Sequence, residues 1–313
     1  LCSGDRYHVL LLGIHHIVCD GWSMDVLQRD LEALYEAFSG GQPSPLPELS
    51  IQPADVAVWQ RQWLRGETLA EPVQAFGRRL QGAPPLLDLP TDRPRSAVQT
   101  LRGRHLRRRL PTDLGHRLRK LGRREGTTLF MTLLGLFQTL RLRWTGDEGP
   151  VVGSPIAGRG RLAVEDLVGL FLNTLVLRTD LAGEPTVRTL LGRLREVVLE
   201  AYTHQDLPFE KLVEALQPER ALSHSPLFQV MLVVQNLPRP RRSLADLDLG
   251  ELLIEATTAK FDLTLVVDAR EDELAIVAEY NTDLFDGTTV ARLLGHFAAL
   301  LAVATAPPEA RIS

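Results

Sequence analysis

The spacing of apolar residues along the chain switches between the period of a helix and the short runs of a strand, which predicts a mixed α/β fold. Residues 9–14 form a short, continuously apolar run, which is typical of a buried strand. Leucines then recur at three- and four-residue spacing after Gly21, and this pattern predicts an amphipathic helix that ends at the glycine pair 40–41. Ser23 is the expected N-cap of that helix. Residues 15–21 are therefore predicted to form a tight strand-to-helix connection.

The remaining pattern predicts further helices and strands. Helices are expected through residues 56–63, from 112, from 127, over 190–201, from 208 and over 288–302. Strands are expected over residues 102–109, from 151, and over 172–180, 228–236, 251–255, 260–269 and 274–280. The helix that begins at Thr127 is apolar on nearly every side, so it is expected to be buried in the core.

Two stretches differ in composition from these elements. Residues 82–96 contain four prolines and are predicted to form an extended linker between two lobes. Residues 102–109 contain five arginines. We expect them to form a solvent-exposed sheet edge, because charged side chains oppose pairing with a further strand. A basic patch for an acidic partner is the alternative interpretation.

Composition narrows the class of protein. The chain has 313 residues, of which 44% are hydrophobic and 24% charged, enough to bury a sizeable core. A net charge of −4 does not favour a nucleic-acid partner. Two cysteines provide no disulfide framework, and neither a membrane-length apolar run nor a signal peptide is evident, so we expect a cytoplasmic protein with no membrane partner. Because the chain begins at Leu1, close to a predicted strand, we expect it to be a fragment.

The strongest candidates for chemistry are His15 and His16, which are followed by Asp20 and Gly21. Imidazole accepts and donates protons near neutral pH, and catalytic side chains are often held in connections between elements. Adjacent residues at a strand end point to opposite faces, so only one of the two histidines is expected to face a given cleft.

A zinc site is the other chemistry that these residue types suggest. It needs three or four ligands at workable spacing, and Cys2, Cys19, His8 and Asp20 have no such spacing. We therefore expect no metal.

The HHIVCDG segment at residues 15–21 resembles the HHxxxDG motif of nonribosomal peptide synthetase condensation domains, which belong to the superfamily similar to chloramphenicol acetyltransferase. At residues 53 and 56, proline and valine stand where the family has tyrosines. Further stretches resemble family motifs in the correct order, at residues 55–60, 153–159, 167–178, 204–213, 220–230, 260–263 and 281–285. Motifs in a fixed order are more specific than any single one.

This resemblance implies an α/β fold, of the two-layer α+β kind, with two chloramphenicol acetyltransferase-like lobes arranged in a V. Residues 1–95 are expected to be the remainder of an N-terminal lobe that carries the HHxxxDG motif, and residues 96–313 the C-terminal lobe. The first lobe is expected to be incomplete, lacking a preceding segment with an arginine that pairs with Asp20.

The resemblance also implies roles for the motif residues. His16 is expected to accept the proton of the attacking amine, or to hold the zwitterionic intermediate by hydrogen bonding, and His15 to orient the site. Asp20 is expected to fix the loop through an arginine, with Arg159 as a possible second partner. Gly21 is expected to let the donor thioester approach the backbone, and its N–H to face the oxyanion.

Three further residues complete the predicted site. Trp22 and Ser23 are expected to pack and to cap the helix. Ser225 lies in a Ser-His-Ser-Pro sequence, a variant associated with domains that join two L-residues.

The implied activity is peptide bond formation between a donor acyl or peptidyl thioester and an acceptor aminoacyl thioester. We expect no cofactor held by the domain itself, because both substrates arrive on the phosphopantetheine arms of partner carrier domains. The expected partners are upstream and downstream peptidyl carrier domains and an adjacent adenylation domain.

Two related functions are alternatives. An epimerisation domain has the same HHxxxDG residues, and a non-catalytic recruitment module has the same fold but usually lacks the histidines. A cyclising variant carries two aspartates in place of the histidines, so the sequence excludes it.

Overall fold

The computed structural model describes residues 8–219, 221–235, 243–244, 247–248, 257–269 and 274–305. The helices are α1 (Gly21–Ser39), α2 (Pro53–Trp63), α3 (Glu67–Leu80), α4 (Thr112–Glu125), α5 (Leu129–Thr145), α6 (Val187–Thr203), α7 (Phe209–Leu216) and α8 (Gly287–Ala304). The strands are β1 (Gly103–Arg109), β2 (Val151–Ile156), β3 (Asn173–Arg178), β4 (Val230–Gln235), β5 (Ser243–Leu244), β6 (Leu247–Asp248), β7 (Leu263–Asp268) and β8 (Ala275–Asn281). The mixed α/β class predicted from the sequence is confirmed.

Contacts divide the chain into two compact units. The first unit comprises residues 1–65, 157–172 and 241–251, and the second comprises residues 66–156, 173–240 and 252–313. Residues 66–95 thus group with the second unit by contacts. The division into lobes at residues 95 and 96 refers to the complete two-lobe domain of the family and stays a prediction.

The second unit contains a six-stranded sheet in the order β1-β8-β7-β4-β2-β3. The pairs β1–β8, β8–β7 and β2–β3 are antiparallel, whereas β7–β4 and β4–β2 are parallel. Helix α5 contacts α4, α6 and α8, and its residues Met131–Arg141 are all buried. The burial predicted for the helix after Thr127 is confirmed; Thr128, one residue later, accepts from the N–H of Met131 and caps it.

The expectation that no apolar run reaches membrane-spanning length is wrong, because helix α8 is long and apolar enough to cross a membrane by length and composition. Its residues Val290, Leu293, Leu294 and Phe297 are buried in the core, where the ring of Phe297 meets that of Phe137 at a centroid distance of 5.8 Å. A core helix of a globular protein has the same composition, and the packing gives α8 that role.

Strand β1 lies at one edge of the sheet, and its arginines are exposed. Of its seven residues, only Gly103 is buried and Leu106 half-buried. This agrees with the predicted solvent-exposed edge, where charged side chains oppose the addition of a further strand.

The proline-rich connector over residues 82–96 has no helix or strand and is fixed to the sheet by side chains. The buried Gln229 accepts from the N–H of Leu87 at 2.9 Å and donates to the carbonyl of Ser225 at 2.8 Å. Arg95 donates to both oxygens of the buried Asp262, with a distance of 2.9 Å to Oδ1. The connector belongs to the second unit and is fixed there by these contacts, and its extended conformation stays a prediction.

The predicted buried strand over residues 9–14 is wrong. Residues 9–15 have no regular secondary structure, and Leu10 and Leu11 are 69% and 70% exposed. Apolar runs predict burial only if a neighbouring strand supplies backbone partners and a covering surface, and the pattern of one segment carries no information about that neighbour. The strand predicted over residues 251–255 lies outside the described residues.

Candidate active site

The HHxxxDG segment folds as a short turn that leads directly into helix α1. Residues His16–Val18 form one turn of 3₁₀ helix, and Asp20 is the N-cap of α1. Its carboxylate accepts from the backbone N–H of Ser23 at 2.8 Å. Ser23 is therefore the third residue of the helix, and the prediction that it is the N-cap is wrong. Aspartate is as good a cap as serine, and it stands directly before the first helical residue.

His15 and His16 lie on this turn with exposed side chains, and their Nδ1 atoms have different hydrogen-bond partners. Nδ1 of His16 lies 2.7 Å from the carbonyl oxygen of Cys19. A carbonyl oxygen only accepts, so Nδ1 carries a hydrogen, and in the neutral ring the lone pair then lies on Nε2. Nδ1 of His15 instead accepts from the N–H of Ile17 at 3.1 Å, which leaves the hydrogen on Nε2. The site thus presents one imidazole acceptor and one imidazole donor.

The carboxylate of Asp20 is buried, with 1% of its side chain exposed. Oδ1 accepts from the Ser23 hydroxyl at 2.8 Å and from Nη2 of Arg159 at 3.1 Å, and Oδ2 accepts from the N–H of Phe171 at 3.0 Å. Burial raises the pKa of Asp20, but the hydrogen bonds from Phe171 and Ser23 and the charge of Arg159 together outweigh it. The net pKa lies below the usual aspartate value, so Asp20 is ionised at neutral pH.

Arg159 is the ion-pair partner of Asp20, with 1% of its side chain exposed. Its Nη1 donates to the carbonyls of Val164 at 2.6 Å and Leu167 at 2.8 Å. Its guanidinium carbon lies 4.5 Å from the ring centroid of Phe171, a cation–π distance. A fork of fixed donors suits this position because it satisfies several acceptors at once. The interpretation of Arg159 as a partner of Asp20 agrees with this geometry.

Trp22 extends the same network to the surface of the first unit. Its indole N–H donates to the carbonyl of Glu165 at 2.9 Å, and its ring centroid lies 5.8 Å from the guanidinium carbon of Arg159. The predicted packing role of Trp22 is consistent with these contacts.

The structure brings together four of the predicted site residues: Asp20, Trp22, Ser23 and Arg159. His15, His16 and Gly21 lie on the same turn or at its junction with α1. Ser225 belongs to the second unit, where its carbonyl accepts from Gln229. Among the described residues, no group of three or more His, Cys, Asp or Glu side chains could hold a metal ion.

Sequence reasoning missed the backbone partners of this network. The N–H of Gly169 donates to the Ser23 hydroxyl at 3.0 Å, and the N–H of Phe171 binds Asp20. Gly158 lies beside them with φ +64, and a Cβ at this position would collide with the carbonyl oxygen of Phe171. The glycine in the stretch that resembles GxPxAGR was the available signal, because such a backbone conformation and close approach both require glycine.

Gly158→Ala is expected to destabilise the first unit by about 1–3 kcal/mol, because the added methyl group meets a backbone carbonyl and a left-handed conformation is strained. Three of the four tryptophans (22, 59 and 63) lie in this unit, so urea unfolding followed by tryptophan fluorescence measures the effect. Gly160→Ala is the matched control, since a Cβ there meets nothing within 4 Å. Equal midpoints for the two variants would contradict the expectation.

The family model of the condensation domain matches residues 1–313. The chain therefore belongs to the condensation domain family of nonribosomal peptide synthetases, whose members are amide-bond-forming acyltransferases. It is similar to a linear gramicidin synthase of Brevibacillus parabrevis, with 51% identity over 98% of this chain and 4% of that protein. It is also similar to the phosphinothricin tripeptide synthetase PhsC of Streptomyces viridochromogenes, with 45% identity over 94% of this chain and 27% of that protein. The chain thus spans a small part of these relatives.

Solved structures agree with this membership and with the predicted chloramphenicol acetyltransferase-like fold. The X-domain in complex with OxyB from teicoplanin biosynthesis superposes with a TM-score of 0.86 at 28% identity, over 96% of this chain and 67% of that chain. A four-domain nonribosomal peptide synthetase bound to AMP and glycine gives a TM-score of 0.86 at 27% identity, over 96% of this chain and 24% of that chain.

Proposed function

We propose that this domain catalyses amide bond formation between a donor acyl or peptidyl thioester and an acceptor aminoacyl thioester, with His16 as the proton acceptor. The observation that carries the proposal is the 2.7 Å contact from Nδ1 of His16 to the carbonyl oxygen of Cys19. Because this contact keeps the hydrogen on Nδ1, the exposed ring offers the lone pair of Nε2 to a substrate.

The reaction follows from this arrangement. The nitrogen of the acceptor amine attacks the carbonyl carbon of the donor thioester, and an α-amine with a pKa of about 8 is partly unprotonated at neutral pH. Nε2 of His16 accepts the proton that the nitrogen loses as the C–N bond forms. The C–S bond then breaks, and the imidazolium returns the proton to the leaving sulfur. The thioester is already activated, so positioning of the two ends supplies much of the rate.

Gly21 has the geometry for close approach of the donor. It is the first residue of the 19-residue helix α1, whose N-terminal N–H groups favour a developing oxyanion. A Cβ built at Gly21 meets nothing within 4 Å, so the space beside it is open. We propose that the donor carbonyl occupies this space.

Gly21→Ala is accordingly expected to lower the rate of amide formation by about tenfold or more, since a misplacement on the order of 1 Å costs up to about 100-fold. The fold should not suffer, because alanine suits a first helical turn better than glycine and meets no protein atom there. Two quantities are measured for the variant and the wild type: the rate of product formation and the midpoint of thermal unfolding. A variant that melts like the wild type and also reacts at its rate would argue against donor approach at Gly21.

We further propose the L-to-L type, supported by the Ser-His-Ser-Pro sequence that contains Ser225. The epimerisation function remains the second candidate, because the same histidines serve it. A recruitment function is a third candidate, favoured by the similarity to an X-domain that is solved in complex with OxyB.

The proposed partners are two carrier domains, with substrates on phosphopantetheine arms, and an adenylation domain, all in the cytoplasm.

One experiment separates these functions. The domain is incubated with a donor carrier loaded with an L-aminoacyl group and an acceptor carrier loaded with a second L-amino acid, and the released products are analysed by chiral chromatography. An L,L-dipeptide supports the proposal. A D-residue without a dipeptide supports epimerisation, and no turnover together with binding of a separate enzyme supports recruitment.

A further inference from the structure

The hydroxyl group of Ser23 has an unusual set of partners for a residue in the first turn of a helix. Ser23 is fully buried. Its Oγ lies 2.8 Å from Oδ1 of Asp20, 2.8 Å from the carbonyl oxygen of Gly169, 3.0 Å from the nitrogen of Gly169 and 2.9 Å from Nη2 of Arg159. A hydroxyl donates once and accepts twice. It accepts from Gly169 N–H and Arg159, while Oδ1 of Asp20 and the Gly169 carbonyl oxygen share its single hydrogen.

The partners of Ser23 come from two segments that are far apart in sequence but lie in the same unit. Asp20 belongs to the HHxxxDG turn, whereas Arg159 and Gly169 belong to residues 157–172. Oδ1 of Asp20 also accepts from the backbone N–H of Ser23 itself. The Ser23 hydroxyl therefore contacts the capping residue Asp20, the buried Arg159 and the backbone of Gly169.

The Asp20 cap and the carbonyl of Cys19 are linked through a single peptide group. That carbonyl and the N–H of Asp20 belong to one planar peptide group, so a shift of Asp20 rotates the carbonyl. The same carbonyl accepts from Nδ1 of His16 at 2.7 Å and so selects the ring form with the lone pair on Nε2. A chain of direct contacts thus leads from Ser23 through Asp20 and Cys19 to His16.

We infer that Ser23 is a positioning residue for His16: its hydroxyl holds the Asp20 cap, and thereby keeps the Cys19 carbonyl aligned with Nδ1 of His16. This inference rests on the proposed function, because the aligned ring form matters for a His16 that accepts a proton through Nε2. Ser23 itself touches no reacting atom in this scheme. Its loss should change the rate of the chemical step and leave substrate binding nearly unchanged.

The test is Ser23→Ala in the full chain, with two readouts. In the carrier-based assay, kcat is expected to fall by about tenfold while KM for the acceptor changes less than twofold, as for lost orientation of a catalytic group. In the chain labelled with ¹⁵N-histidine, the His16 ring signals are expected to move from the form protonated at Nδ1 towards a mixture of both forms. Because the chain has only eight histidines, the ring signals of His16 can be assigned as those that disappear in His16→Gln.

Ser154→Ala is the matched control. Ser154 is also a buried serine, and its hydroxyl donates to the carbonyl of Leu232 at 2.9 Å within the second unit. Its replacement should leave the His16 ring signals where they are in the wild type. If Ser23→Ala does not fold, Ser23→Cys retains the side-chain shape with a weak hydrogen-bonding group and serves in both readouts.

The outcomes distinguish the two proposals. A folded Ser23 variant with unchanged His16 ring signals and unchanged kcat would overturn the positioning role. A parallel loss of kcat and stability with unchanged ring signals would also overturn it, because that result describes a purely structural residue. If the wild-type domain forms no dipeptide, the proposed function fails, while the ring signals still report whether Ser23 controls the form of His16.

Discussion

His16→Ala is expected to reduce amide formation by about 10²–10⁴-fold, the usual contribution of a positioned general base. The variant loses the only ring in the proposed scheme that presents a lone pair to the attacking amine. Because the His16 side chain is exposed, its removal leaves no cavity in the core. The expected result is therefore an unchanged thermal midpoint with a loss of dipeptide, measured by mass spectrometry with both carriers loaded.

Two further histidine variants provide comparisons for the rate of His16→Ala. His116→Ala removes an exposed histidine from α4 in the second unit and should react at the wild-type rate. His15→Ala removes the neighbouring ring, whose Nδ1 accepts from the N–H of Ile17, and an intermediate rate is expected if that ring orients the site as predicted. Dipeptide formation by His16→Ala at the wild-type rate would refute the assigned role.

Asp20→Asn is expected to destabilise the first unit by about 3–5 kcal/mol, because it leaves the charge of Arg159 buried without a counter-ion. The amide also places two hydrogens among groups that donate, namely Phe171, Ser23 and Arg159. Urea unfolding followed by tryptophan fluorescence measures the loss. Expression of Asp20→Asn is likewise expected to give less soluble protein than expression of the wild type.

The dependence of this stability on pH has a defined sign. The pKa of Asp20 is lower in the folded chain than its ordinary value, so the folded state favours the ionised form. The contribution of Asp20 is therefore fully present above the ordinary value, about 4, and is lost as pH falls through the lower folded value. The wild type and Asp20→Asn should converge in stability only below about pH 4, whereas at neutral pH they differ fully.

Asp30→Asn is the matched control for this prediction. Asp30 pairs with Arg29 at 2.9 Å on the same helix, with 52% of the arginine and 28% of the aspartate side chain exposed, against 1% for each partner of the Asp20–Arg159 pair. Exposed pairs contribute only about 0–1 kcal/mol, so this variant should unfold nearly like the wild type. If Asp20→Asn melts normally but is inactive, Asp20 takes part in the chemistry and its structural assignment is wrong.

The sequence predicted the elements whose signal is local. Helix α5 was predicted because its residues are apolar on all sides, and α1 because its leucines follow the helical period and Gly40 ends it. The run over residues 9–14 gave an equally strong local signal, yet it is exposed, because burial of a strand depends on segments elsewhere in the chain.

The family resemblance pointed to the residues of the candidate site and to the Asp20–Arg159 pair, but not to the backbone contacts around them. The resemblance to the family identified His15, His16 and Asp20 by motif, and it suggested Arg159. No pattern in the sequence indicates that Ser23 contacts Gly169, since backbone groups leave no trace in side-chain spacing. Asp20 and Ser23 are both good capping residues, and which of them is the N-cap depends on the residue at which the helix begins.

The discontinuity of the first unit has a consequence for biosynthesis of the chain. Asp20 and Arg159 are 139 residues apart in sequence, and the N–H of Phe171 binds Asp20 across 151 residues. A ribosome adds about 5–20 residues per second, so Asp20 is synthesised several seconds before Arg159, its counter-ion. During that interval Asp20 lacks both Arg159 and the backbone donor of Phe171, and closing so long a loop costs entropy before any of these contacts forms. The nascent motif therefore matures late, after the strands that flank residues 157–172 have been synthesised.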